Sequence, residues 1–328
     1  MFNYKHASNE EMRKMGGDAE ECSNDGSLIR CEGLTKDFGD FRAVDGVSLD
    51  IRRGEIYGFL GPNGAGKTTT VRMLTTMERP TSGKVWIDGH DTSDDYIAAR
   101  RNIGVIQQQH SLDKDISVRE NIMHHALIQG LSVKQAKARM AELCPIMELE
   151  SRLDDLIENL SGGWKKRTSI VCSMIHDPDV LFMDEPTTGL DTQSRNLLWR
   201  MIRSLNRRGT TIFLTTHYIF EAESLCDRVG MITHGRLISE GAPQELIDSV
   251  GRYVTVTTPE DEDAEPIMRF FDSRSEAVAE ADRHAAEHNT VIRKTTLEDA
   301  FLEITGRRIR CSTSLARPCA SPTGTCAS

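Results

Sequence analysis

No stretch of the 328-residue sequence approaches the roughly 18 consecutive apolar residues that would span a bilayer. The opening residues, MFNYKHASNEEMRKMGG, also lack the apolar run of a signal peptide. Both absences predict a chain that stays in the cytosol unless a partner brings it to a membrane. Positive charge is scarce as well: 40 Lys and Arg face 50 Asp and Glu, a formal charge of −10. That is the wrong sign for a protein held on nucleic acid by its overall field, so no nucleic-acid partner is expected. Eight cysteines lie at 22, 31, 144, 172, 226, 311, 319 and 326, with no Cys-x-x-Cys pair and no Cys/His cluster at zinc-finger spacing. They read as reduced thiols. Aromatics are few at 5%, but 38% hydrophobic residues over this length suffice for one large or two modest domains with real cores.

Composition divides the chain. Residues 1–27 are polar and broken by Gly16, Gly17 and Gly26, and read as a flexible leader. From Leu28 to Leu246 short apolar runs alternate with helical patterns, the mark of an α/β fold with a parallel or mixed sheet. Ile56 to Leu60, Val180 to Met183 and Ile212 to Leu214 suit strands buried on both faces. Within about 115–177 the strand signal fades; Ser117 with Glu120, and Ser132 with Gln135, fit capping boxes that open helices. A helical subdomain is expected there. Residues 250–308 read as a small α+β domain, with an alternating Tyr253 to Val256 and helices near Ser275 to His288 and Leu297 to Ile304. The Ser/Thr/Pro-rich segment 309–328 reads as a disordered tail, whose three cysteines could hold a metal only if it folded.

The chemistry starts at Gly61-Pro62-Asn63-Gly64-Ala65-Gly66-Lys67-Thr68, which fits G-x-x-x-x-G-K-[ST] between an expected strand and an expected helix. In that order, glycines let backbone N–H groups face a phosphate at a helix N-terminus, where the dipole favours an anion. Lys67 would bridge the β- and γ-phosphates and the Thr68 hydroxyl would ligate Mg²⁺; a glycine-rich turn with a solvated lysine is the bland alternative. The run Val180-Leu181-Phe182-Met183 delivers Asp184 and Glu185 to a strand end. Asp184 fits the acid that holds the Mg²⁺ shell and Glu185 the base that polarises the attacking water, against a strand-end loop with solvated acids. Leu160-Ser161-Gly162-Gly163 follows the same logic of a hydroxyl and Cβ-less residues at a helix start, 23 residues before Asp184 counted from Ser161.

Taken together, GPNGAGKTT, LSGGW, LFMDEPTTGLD and TTHYIFEAESLCDR resemble the ATP-binding subunits of ABC transporters over Leu28 to Leu246. The resemblance implies a P-loop ABC cassette that binds and hydrolyses ATP with Mg²⁺, and a head-to-tail dimer of two copies. In that dimer Ser161, Gly162 and Gly163 of one copy cap the γ-phosphate held by the P-loop of the other, to which Thr69 also belongs. It further implies that Phe38 stacks on adenine, with Phe41 as competitor, and that Gln108 senses Mg²⁺ and the partner, with Gln107 and Gln109 as neighbours. Asp191 would couple the two sites, and His217 would contact the γ-phosphate. One position departs from the pattern: Trp164 stands where the family usually has Gln, and an indole cannot accept a hydrogen bond. Helix packing and stacking on nucleotide are both open for it. His124, His125 and the Lys165-Lys166-Arg167 run read as helix surface and receive no site role.

At finer grain AVDGVSLDIRRGEIYGFLGPNGAGKTTTVRML and TTLEDAFLEITGRRIR are similar to multidrug exporter ATPases of the daunorubicin-resistance type, over Leu28 to Arg308. This implies a separate integral-membrane permease and a peripheral place at the cytoplasmic face of the cell membrane. A soluble ABC ATPase of translation or DNA repair normally carries two cassettes or a long coiled-coil insertion, and the sequence has one motif set and no such insertion. A module that binds ATP without hydrolysing it conflicts with Glu185 and His217.

Overall fold

The computed structural model describes residues 26–106, 112–258, 266–284 and 289–306. The expected leader up to residue 25, the tail and Gln107 to Gln109 lie outside the described residues. The chain divides into two compact units, one up to Pro243 and one from Gln244.

The first unit opens with strands β1 (Ser27–Phe38), β2 (Phe41–Arg52) and β3 (Ile56–Leu60), then helix α1 (Lys67–Leu74) and strands β4 (Ser82–Ile87) and β5 (His90–Asp91). Helix α2 (Tyr96–Arg101) and strand β6 (Ile103–Ile106) precede helices α3 (Val118–Ile128), α4 (Val133–Ile146) and α5 (Gly162–Met174). Strand β7 (Val180–Asp184), helix α6 (Thr192–Asn206), strand β8 (Thr211–Thr216), helix α7 (Ile219–Leu225) and strands β9 (Arg228–Thr233) and β10 (Arg236–Gly241) complete it.

The six-stranded sheet has the order β10-β9-β3-β8-β7-β6, with β3, β6, β7, β8 and β9 parallel and β10 antiparallel to β9. Strands β3, β7 and β8 are buried at every position, as continuous apolar runs in a sheet covered on both faces should be. Phe213 anchors the middle, with Tyr57 stacked at 5.6 Å and Phe182 at 5.4 Å between ring centroids. A second sheet, of order β2-β1-β4-β5, is antiparallel. Its long strands alternate buried and exposed residues in stretches, and Ile29, Leu34, Val47 and Ile51 join Phe59 and Leu74 in one core. The sequence pattern led to an α/β reading from Leu28 onward; the residues before Ile56 instead form antiparallel strands that cap the α/β core.

Both expected capping boxes form at α3 and α4, with the side chain of Ser117 accepting from the Glu120 N–H and that of Ser132 from the Gln135 N–H. The turn from β3 into α1 requires glycine twice. A Cβ on Gly61 would meet the Ile232 carbonyl oxygen at 2.3 Å, and Gly66 sits at φ +100° with the Ala43 carbonyl oxygen 2.5 Å from where its Cβ would be. The phosphate-type loop is thus pinned from beneath by β9 and by the start of β2.

The division between units falls at the first residue of helix α8 (Pro243–Val250). The second unit has strands β11 (Tyr253–Thr258), β12 (Ile267–Phe271) and β13 (Asn289–Lys294) in the antiparallel order β12-β11-β13, with helices α9 (Arg274–His284) and α10 (Leu297–Ile304). Helix α9 seats Ala277 in the core and pairs Glu280 with Arg269 of β12. Asp299 serves α10 twice, closing the Thr296 capping box and accepting from Arg293 at 2.8 Å.

Candidate functional site

Three strand ends and one loop meet at the carboxyl edge of the six-stranded sheet, where open α/β sheets bind their ligands. The loop Gly61 to Gly66 leaves β3, Asp184 ends β7, and Thr216 ends β8 just before His217. Lys67 is 4% exposed, and its ammonium donates to the Gly61 carbonyl at 2.8 Å and the Pro62 carbonyl at 3.1 Å. It also lies 3.3 Å from Glu185 Oε1. The same carboxylate oxygen is 3.2 Å from His217 Nδ1. That approach is off the hydrogen-bond axis, so the buried ring nitrogen has charge nearby and no well-formed partner.

The two acids are held differently. Asp184 accepts from the Thr215 hydroxyl at 2.6 Å and from the Thr68 hydroxyl at 3.3 Å. Thr215 Oγ1 in turn accepts from the Glu185 backbone N–H at 3.0 Å, so one hydroxyl of β8 registers both acids. Glu185 occupies the left-handed region at φ +46°, a conformation that costs a non-glycine residue about 1 kcal/mol and is held here by its surroundings. Its side chain accepts from Thr188 at 3.2 Å. Burial pushes the Glu185 carboxyl up, but the His217 ring and the Lys67 ammonium outweigh it and hold the group below the usual carboxylate range. The site therefore keeps an ionised carboxylate between two basic side chains.

Of the residues singled out in the sequence, the structure brings Lys67, Thr68, Asp184, Glu185 and His217 into this cluster. Pro62 contributes its carbonyl, while Asn63 and Gly64 are exposed on the loop, Ala65 is buried and Thr69 is half-buried in the first turn of α1. Phe38 and Phe41 face each other across β1 and β2 at 49% and 64% exposure, with the Lys36 ammonium 5.0 Å from the Phe38 ring centroid. Ser161 stands at the N-terminus of α5 but does not cap it with its side chain, so the hydroxyl and the first N–H groups of that helix are unspent. Asp191 caps α6, accepting from the Ser194 N–H at 2.9 Å and the Ser194 hydroxyl at 2.7 Å. Those bonds hold its carboxyl below the ordinary range. Phe38, Ser161, Gly162, Gly163 and Asp191 form no hydrogen bond or ion pair with the Lys67–Glu185 cluster of the same chain. Gln108 lies outside the described residues.

Trp164 packs within its own subunit, with the Arg167 guanidinium 4.1 Å and the Arg152 guanidinium 5.6 Å from its ring centroid. The reading of Lys165-Lys166-Arg167 as helix surface is wrong for Lys166, which is 6% exposed. Burial pushes its ammonium down to about 8, against the pull of Asp184 and Glu221. The physical reason is that α5 lies against the sheet edge, so one residue of a basic run must turn inward. Sequence reasoning also passed over Thr215 and Glu221, which are 0% and 1% exposed. The Thr215-Thr216 pair ending an apolar run was a usable signal for Thr215; nothing local marked Glu221.

The profile of the ABC transporter family matches residues 44–188. The Nod factor export ATP-binding protein I of Cupriavidus metallidurans is 39% identical over 300 residues, covering 87% of this chain and 99% of that protein. The daunorubicin/doxorubicin resistance ATP-binding protein DrrA of Streptomyces peucetius is 42% identical over 252 residues, covering 77% of this chain and 73% of that one. Among solved structures, a dimeric ATP-binding cassette in a post-hydrolysis state, bound to ADP and Pi, is similar at 27% identity and a TM-score of 0.60, over 66% of this chain and 98% of that chain.

Proposed function

The chain belongs to the ABC transporter family, among its ATP-binding subunits, and from that premise we propose that it energises efflux through a separate integral-membrane permease. The cargo in this reading is a drug, antibiotic or other amphiphile, supported by relatives named for Nod factor export and for daunorubicin/doxorubicin resistance. No helix among the described residues is long and apolar enough to cross a membrane; in this reading the permease forms the transport path. The chain works at the cytoplasmic face, as a dimer of two copies closed by ATP.

The convergence of Lys67, Glu185 and His217 carries the hydrolytic part of the reading. Lys67 and His217 both approach the same oxygen of the Glu185 carboxylate. In this reading the Lys67 ammonium turns from Glu185 to the γ-phosphate, and the His217 ring contacts the same phosphate. Glu185 is then free to polarise a water as general base. Ser161 and the N–H groups of Gly162 and Gly163, unspent in their own subunit, cap the phosphate bound by the other copy. Phe38 stacks on the adenine and Asp191, through its cap on α6, links the two sites.

The Thr68 and Asp184 oxygens, 3.3 Å apart, fit Mg²⁺, whose octahedron of 2.0–2.1 Å arms puts neighbouring ligand oxygens about 3 Å apart. Thr68 and Asp184 would hold the ion, with Gln108 as a further ligand. The ion would supply charge neutralisation at the phosphate oxygens.

Glu185→Gln tests the reading. The variant is expected to bind ATP, to turn over at least a hundredfold more slowly, and to elute as a dimer from size-exclusion with ATP. Hydrolysis at the parental rate would remove Glu185 as the base.

A further inference from the structure

We propose that Glu221 is a positioning residue for the hydrolytic step, its carboxylate locking the turn that follows Glu185 to the helix α7 that begins two residues after His217. The proposal rests on the reading of Glu185 as base and His217 as phosphate contact, and adds to them a group that touches neither nucleotide nor water.

Glu221 lies in the first turn of α7, yet it is 1% exposed. An acid in a first turn gains from the helix dipole without being buried, so the dipole does not account for its placement. What accounts for it is a pair of donors from two other elements. The Thr187 hydroxyl of the turn after β7 donates to one oxygen at 3.2 Å and the Trp199 indole N–H of α6 to the other at 3.0 Å. Two cations add their charge: Lys166 of α5, and Arg195 of α6, whose guanidinium lies 5.3 Å from the Tyr218 ring centroid. Burial pushes the Glu221 carboxyl up, while the Trp199 and Thr187 donors and the Arg195 charge pull the other way and satisfy its oxygens in the interior.

The segments so joined are the ones whose relative position hydrolysis needs. Thr187 is two residues beyond Glu185, whose left-handed backbone at φ +46° must be held by its surroundings. Helix α7 begins two residues after His217, and the Tyr218 N–H between them donates to the Thr216 hydroxyl at 2.9 Å. Lys166 brings in the signature helix: it lines a small cavity together with Gly163, Leu190 and Ser194, where the LSGG turn abuts the cap of α6. A Cβ on Gly163 would lie 3.7 Å from the Ser194 hydroxyl. Glu221 thus sits at a node common to the base, the histidine, and the signature turn offered to the other copy. Geometry held to within fractions of an ångström is worth large factors in rate and little in ground-state binding.

The test compares Glu221→Gln, Thr187→Val and Trp199→Phe in the full chain, with parental and Glu185→Gln proteins alongside. The amide of Glu221→Gln keeps the size but turns one acceptor into a donor that faces donors. Thr187→Val removes only the hydroxyl, and carries the test by itself should Glu221→Gln fail to fold. Both are expected to lower kcat for ATP about tenfold or more while KM and ADP affinity stay within twofold. Trp199→Phe cuts the bond to α6 alone, and is expected to lower the melting temperature with kcat within twofold. Equal kcat in Thr187→Val and the parental protein overturns the proposal, as does a loss that appears in KM and not in kcat. An equal loss of kcat in Trp199→Phe would mean that general destabilisation is being read, and also overturns it. Failure of the underlying reading looks different: the parental chain would not hydrolyse ATP, or Glu185→Gln would hydrolyse it at the parental rate, and both readings would fall together.

Discussion

Replacing Trp164 by Gln restores the residue the ABC family usually has at the fifth signature position, and the structure argues that the restoration is a loss. The indole is half-buried between the Arg152 and Arg167 guanidinium groups, at 5.6 and 4.1 Å from its centroid. Arg167 in turn donates to Glu148 at 3.0 Å and Arg152 to Asp155 at 3.0 Å, so the layered trio fastens α5 to the segment before it. Two cation–π contacts near the surface contribute about 0.5–1 kcal/mol each. Half of a large apolar side chain's burial adds roughly 1 kcal/mol. The sum, about 2–3 kcal/mol, exceeds the roughly 1 kcal/mol net of a new glutamine hydrogen bond. Trp164→Gln is therefore expected to be less stable by about 1–2 kcal/mol, which for a domain of 150–250 residues lowers the melting temperature by roughly 2–8 °C. Differential scanning calorimetry and steady-state ATPase on the same preparation read both quantities. A double-mutant cycle with Arg167→Gln is expected to show a coupling of about 0.5–1 kcal/mol. An unchanged melting temperature with faster hydrolysis would refute the reasoning and make Trp164 a tolerated loss at the nucleotide face.

Lys67→Ala deletes a charge that attracts phosphate in the ground state as well as the transition state, so ATP affinity itself should fall at least tenfold by calorimetry; unchanged binding would remove Lys67 from the site. Lys166→Met is expected to alter the pH dependence of stability. The ammonium is charged in both states below pH 8; between about 8 and the ordinary lysine value of 10.5 only the unfolded chain keeps the proton, so this residue makes stability rise with pH. Urea unfolding from pH 7.5 to 10.5 should show the parental-minus-variant difference rising by up to about 3 kcal/mol, at 1.36 kcal/mol per unit. A flat difference would mean that Lys166 is solvated.

The legible features of this protein are those written in consecutive residues. GPNGAGKT carries its own turn chemistry, because Gly61 and Gly66 are needed wherever that strand turns into that helix so closely over a neighbouring chain. Ser117 with Glu120, Ser132 with Gln135 and the apolar run ending in Asp184 and Glu185 likewise specify a helix start or a strand end within a few residues, since the interactions that form them span one turn or one pleat. The order of these segments along the chain pointed to an α/β fold, and the resemblance their motifs carry implied the P-loop cassette. The tertiary structure decided what depends on residues far apart meeting at an edge or a packed face. The early strands became an antiparallel cap because their partners are one another. Lys166 turned inward, and Trp164 met Arg152, because α5 lies where it does. Thr215 came to hold both acids, and Glu221 to gather donors from α6 and the turn after β7. No periodicity within α7 announces that last role, since burial of a charged side chain is set by which donors other elements bring to it, and those lie up to 34 residues away.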